Sequence, residues 1–172
     1  MKHLLGLLIA LTLFASACSK ENFKSELDDS RDTWRSFKKV NGNTYYYVVS
    51  ASSWLGFSSK TTIFVVNGVV TKRAYESFMV DGAPGQVKPL QSWTEDKTTL
   101  NQHPEGAESI TLDQVYDKAK NDWLKVDKKE NDIYFEIENS GMISLAGYTP
   151  KNCADDCLRG IRIVEIKPWD GK

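Results

Sequence analysis

An excess of either charge is the first thing this chain lacks. Its 172 residues carry 22 basic and 23 acidic side chains, for a formal net charge of −1. A nucleic-acid footprint needs a basic surplus, and a polyelectrolyte partner needs a block of like charge; neither is present. Histidine is scarce, and only His103 lies beyond the extreme N-terminus. Cysteine is confined to Cys18, Cys153 and Cys157, with no companions at zinc-ligand spacing. No phosphate loop, nucleophile elbow or zinc-binding helix motif occurs. Asp127 to Glu138 has the length and end residues of a calcium loop. Lys129 at a ligand position and Asp132 in place of the turn glycine exclude it. We therefore expect no cofactor, no bound metal and no catalytic constellation. His103 with Asp96 or Glu105 is the only acid–base pairing to weigh, and a single loop histidine is ordinarily inert.

Long apolar runs are missing too, with one exception. Leu4 to Phe14 follows Lys2 and is almost wholly apolar. It is shorter than the roughly 20 residues that a spanning helix needs, and suits the core of a cleaved export signal. The next residues, Ala15-Ser16-Ala17-Cys18, resemble the lipobox of bacterial lipoproteins, with Ala15 where leucine is usual. The resemblance implies cleavage before Cys18 and acylation of its thiol. It also implies that Ser19, in the sorting position, directs the product to the outer membrane of a Gram-negative bacterium. The alternative is an ordinary secretory signal, leaving Cys18 a spare thiol. Either way, removing residues 1–17 leaves about 155 residues, one domain's worth.

Export bears on Cys153 and Cys157. In an oxidising compartment two cysteines four residues apart pair by default, as a local staple on a turn. A redox pair would be spaced one residue closer, and Asp155 and Asp156 are too few to complete a metal site.

What is present is patterned, and the pattern occurs twice. Phe23, Leu27, Ser30, Trp34 and Phe37 recur at helical spacing, and Asn41-Gly42 supplies a stop. Thr44 to Ala51 alternates as a strand, with Tyr45, Tyr47 and Val49 on one face. Thr61 to Asn67 and Val69 to Phe78 are β runs joined at Asn67-Gly68, the pair that a tight hairpin turn prefers. In the second half, Thr111 and Gln114 form a capping box, and a stripe runs from Leu112 through Trp123 to Val126. Strands follow at Asp132 to Glu138, with Ile133, Phe135 and Ile137 inward, then at Met142 to Ala146 and at Ile161 to Ile166. The expected fold is α+β, an antiparallel sheet with helices on one face, built from two diverged helix-plus-β-meander units. We divide the chain into a leader (1–17), an anchor and tether (18–24) and one domain (25–172). Its halves, 25–80 and 109–167, are joined by a long connector, 81–108, without obvious structure.

Trp34, Tyr45-Tyr46-Tyr47, Val65-Val66-Asn67-Gly68-Val69-Val70 and Leu112 through Tyr134 together resemble a family of small bacterial lipoproteins carrying a domain of unknown function. Members often have a cysteine pair near the first hairpin, where this chain has Trp54-Leu55-Gly56-Phe57. The family implies an envelope location and brings no activity.

Trp54, Leu55 and Phe57 lie between two strands, where a loop tip meets water. They either fold back onto the core, the commoner outcome, or meet a partner. Trp93 in the connector could stack on a sugar or peptide side chain, or plug the core edge. These four residues form the candidate binding surface. The expected function is a lipid-anchored, non-catalytic binding or accessory module, held to a membrane by its N-terminal lipid and presenting a surface to an envelope protein or glycan. The alternatives are a periplasmic enzyme inhibitor and a hydrolase using His103.

Overall fold

The computed structural model describes residues 23–80, 86–154 and 157–171. The leader, Cys18, most of the tether, and Asp155 and Asp156 lie outside them. In chain order the elements are α1 (Phe23–Val40), β1 (Tyr45–Ser52), β2 (Phe57–Val66), β3 (Val69–Val80), β4 (Val87–Asp96), α2 (Leu112–Asn121), β5 (Asn131–Glu136), β6 (Leu145–Pro150) and β7 (Arg159–Pro168). A 3-10 turn at Trp123–Lys125 follows α2. The seven strands make one antiparallel sheet in the order β4-β3-β2-β1-β7-β6-β5. The class is α+β. Two meanders meet where β1 pairs with β7, across a bulge at Val48/Val49.

Local chemistry explains most boundaries. Asn67 and Gly68 take φ of 50° and 79°, the left-handed pair that a tight hairpin requires. Thr111 caps α2, and the reciprocal bond from its own N–H to Gln114 is also made. The helix ends at Asn121, short of the expected Val126, because Asn121 and Asp122 are poor helix formers and the chain tightens into the 3-10 turn. Ser140 and Gly141, at φ of 54° and 85°, close a small turn over Asn139 to Met142. That delays β6 to Leu145 rather than Met142. β5 ends at Glu136, so its alternation lapses and Ile137, expected inward, is exposed.

The connector differs most from expectation. Residues 87–96 form β4, paired along β3 from Lys72↔Asp96 to Val80↔Val87. As the outermost strand it is exposed along nearly its whole length. It carries Pro89 and lies opposite a bulge at Ser77/Phe78, devices by which sheets blunt an open edge. The same devices erase the hydrophobic alternation that marks a strand in sequence.

The helices cover the sheet face formed by Tyr45, Tyr47, Ile63, Val65 and Ile163. Trp34 is fully buried, edge-on to Tyr45 at 4.8 Å and stacked with Phe37 at 5.7 Å. Three tyrosine hydroxyls tie this layer together. Tyr45 accepts the Leu112 N–H, and Tyr47 donates to the Ile110 carbonyl. Tyr116 donates to the Ser30 carbonyl and accepts the Ile143 N–H, both at 3.1 Å. Burial raises the pKa of all three, so they remain neutral donors and acceptors. Tyr116→Phe leaves the buried Ile143 N–H without its acceptor and should cost about 1–3 kcal/mol. The urea midpoint should fall while the slope is unchanged.

Cys153 and Cys157 are joined by a disulfide in the β6–β7 connection, with Cα atoms 6.3 Å apart. The closed loop is so short that the Cys153→Ala/Cys157→Ala protein should lose no more than about 2 kcal/mol. Thermal melts with and without reductant will read this directly.

Candidate functional site

The buried charge pair Arg73–Glu95 organises the segment after β4. Arg73 sits inward on β3 in phase with Tyr75, and Glu95 inward on β4 in phase with Trp93; the two are register partners. Arg73 Nε and Nη2 donate to the two Glu95 carboxylate oxygens at 2.8 and 2.9 Å, with both side chains excluded from solvent. The remaining guanidinium donors reach the carbonyls of Ala107 (3.0 Å) and His103 (2.9 Å). Glu95 in turn accepts the backbone N–H groups of Asn101 and His103. The Arg73 fork, aided by these N–H donors, holds the Glu95 carboxyl well below the usual carboxylate range despite its desolvation.

Above this pair runs an aromatic stack. Trp93 lies between Tyr75, at 5.1 Å, and the His103 ring, at 4.4 Å and 8° from parallel. The Arg73 guanidinium packs 4.7 Å from the Trp93 ring centre. His103 Nδ1 is 3.0 Å from Glu95 Oε1. The acid beside His103 is therefore Glu95, not Asp96 or Glu105 as expected from sequence. Asp96 is instead occupied with Thr98 and Thr99 in its own turn.

Pinned at Glu95 and Arg73, residues 97–110 fold back over the helix side of the sheet. Gly106, at φ 86°, approaches Thr61 and Tyr75 so closely that a Cβ there would strike both. The Ala107 N–H is held by Thr61 Oγ1 at 3.0 Å. This makes one wall of a cleft of about 810 Å³. The floor is Val49, Ala51, Phe57, Ser59 and Thr61; Trp123 and Ile110 stand at one end, and Cys153, Cys157 and Leu158 form the opposite rim. Hydroxyls and apolar groups are interleaved across it. Among the described lining residues Glu108 is the only carboxylate and there is no histidine. Glu108 already holds Lys118 at 2.6 Å.

The expected site residues are thus divided. Phe57 is half-buried in the cleft floor and the disulfide forms its rim. Trp54 and Leu55 are 71% and 67% exposed, so they do not fold back as the commoner outcome required. The reason is local: the Gly56 N–H returns to the Ser53 carbonyl, closing a turn whose two corner residues are Trp54 and Leu55. Trp93 and His103 belong together in the stack, and neither they nor Trp54 line the cleft. Arg73, Glu95 and the cleft were not anticipated. The available signal was Arg73, a charged residue in the inward phase of the expected strand Val69 to Phe78; Glu95 lay in the connector, with no strand phase to mark it. Among the described residues no cluster of three or more potential metal ligands occurs, and no helix is long and apolar enough to cross a membrane. Comparison with protein-family models, curated proteins and solved structures finds no match to the chain.

Proposed function

We propose that this is a lipid-anchored bacterial envelope protein, acylated at Cys18 after loss of residues 1–17, that serves as a non-catalytic binding module. Ser19 favours the outer membrane. The two helix-then-meander runs are read as diverged copies, on the strength of their shared element order. The observation that carries the binding reading is the 810 Å³ cleft, whose walls are held by a buried ion pair on one side and a disulfide on the other. A concave surface built in advance, lined with interleaved hydroxyls and apolar groups, suits a glycan or an extended protein segment. Such a ligand offers hydroxyl or amide groups beside apolar faces.

Photo-crosslinking in intact cells tests this. A benzophenone side chain at Phe57 lies in the cleft, and one at Thr62 lies on the opposite sheet face. A discrete adduct from position 57, absent from position 62 and lost when Ala51→Trp fills the cleft from its floor, is the expected result. Equal labelling from both positions would remove the cleft from consideration. Intact mass of the purified protein tests the anchor separately.

A further inference from the structure

The Trp54 turn projects from the same end of the sheet as the start of α1. Phe23, the first residue of α1, packs against Phe135 of β5 with ring centres 6.2 Å apart. Phe135 pairs with Ala146, and Ala146 with Ile161. Ile163, two residues along β7, pairs with Val49. The start of α1 is thus level with Ala51, at the last rungs of β1 before the Trp54 turn. Cys18 precedes Phe23 by five residues. A chain extends at most about 3.6 Å per residue, so an acylated Cys18 lies within about 18 Å of that point.

Among the described residues, this end carries an exposed apolar patch. Besides Trp54 and Leu55, Val80 and Val87 are 49% and 59% exposed. The four form one patch, since the Val80 N–H bonds to the Gly56 carbonyl and Val80 pairs with Val87. Lys88 follows Val87 at one edge of it; farther along the same end, beside β5, the Lys128 ammonium lies 5.2 Å over the Phe23 ring. Tryptophan and aliphatic tips bordered by lysine are the chemistry of a bilayer interface, where indole sits at the headgroups and ammonium meets phosphate.

We infer that this end of the domain docks on the lipid surface that holds its anchor, with Trp54 and Leu55 entering the headgroup region. The inference rests on the lipid-anchor reading above. The tether supplies the proximity, so a small patch suffices to orient the domain. The cleft rim at Leu158 and the cleft floor at Phe57 then lie close to the bilayer.

The test uses the full protein reconstituted in vesicles of phosphatidylethanolamine and phosphatidylglycerol in equal parts, with brominated acyl chains as a quencher of tryptophan fluorescence. The wild type should be quenched. Trp54→Phe should lose most of that quenching, and Leu55→Asp with Val87→Asp should lose it while keeping Trp54 as reporter. Intact mass is taken on the same sample. A protein acylated at Cys18 whose quenching equals that of Trp54→Phe overturns the docking. So does a Leu55→Cys protein that crosslinks to a second copy of itself on the vesicle. A chain without an acyl group overturns the anchor instead, and titrating it with the same vesicles decides the docking: quenching through Trp54 upholds it, and none overturns it.

Discussion

Glu95→Gln should destabilise the domain by about 3–5 kcal/mol, the usual consequence of leaving a buried charge without its partner. Arg73 is only 3% exposed and has no route to water, so its cation would remain in the interior facing a neutral amide. The amide would also present a donor toward Arg73 or toward the backbone N–H groups of Asn101 and His103, all of them donors themselves. Chemical denaturation should show a much lower midpoint. Crosslinking from position 57 should weaken as well, because the pair holds the Ala107 wall of the cleft. Replacing both partners, Arg73→Met with Glu95→Leu, should recover part of the loss. It cannot recover all of it, since two N–H groups and two carbonyls lose their partners. The pH dependence has a definite sign. The folded-state pKa of Glu95 lies well below its unfolded value, so its contribution is complete above the ordinary carboxylate range and is lost progressively as the pH falls from that range toward the lowered folded-state value. Asp113 acts in the same direction: burial opposes its ionisation, but the Lys38 and Trp34 donors outweigh that cost. Stability should therefore decline on acidification, and less steeply in Glu95→Gln.

Trp34→Ala is expected to cost about 3–5 kcal/mol, the range for emptying a large aromatic site in a packed core. The residue has no solvent exposure and touches Phe37 and Tyr45, so collapse of the space would require α1 to move relative to β1. Its indole N–H also donates to Asp113 Oδ1 at 3.0 Å, linking the two helices beside the Lys38–Asp113 ion pair. Trp123 gives the comparison. It lies in the 3-10 turn after α2, lines the cleft and is only partly buried. Trp123→Ala should cost less than half as much. Equal losses would mean that Trp123 is bound into the core as firmly as Trp34.

Much of the fold was legible because its signals are local. Asn67-Gly68, the Thr111–Gln114 box and the inward tyrosines of β1 each state their conformation within a few residues. β4 was not legible, since a strand at an exposed edge has no face whose burial would impose alternation, and Pro89 argues against a strand. Ile137 was misassigned because alternation cannot reveal where pairing stops. The cleft was beyond reach for a different reason. Its floor and walls come from Phe57, Ala107, Trp123 and Leu158, which meet only once the whole sheet has formed. Neither Arg73 nor Glu95 was singled out in the sequence, and only register shows that they face each other. For Trp54, folding back was the commoner expectation beside a place on the binding surface, whereas at a corner of a four-residue turn it stands 71% exposed.

The pairing of β1 with β7 has a temporal side. During synthesis β1 is complete long before residues 159–168 are made, and until they arrive one of its backbone edges is open. Closing the sheet there is a contact of high sequence separation, slow by loop entropy and hazardous while the edge is unpaired. The last strand made is therefore the one that closes the sheet and joins its two sides.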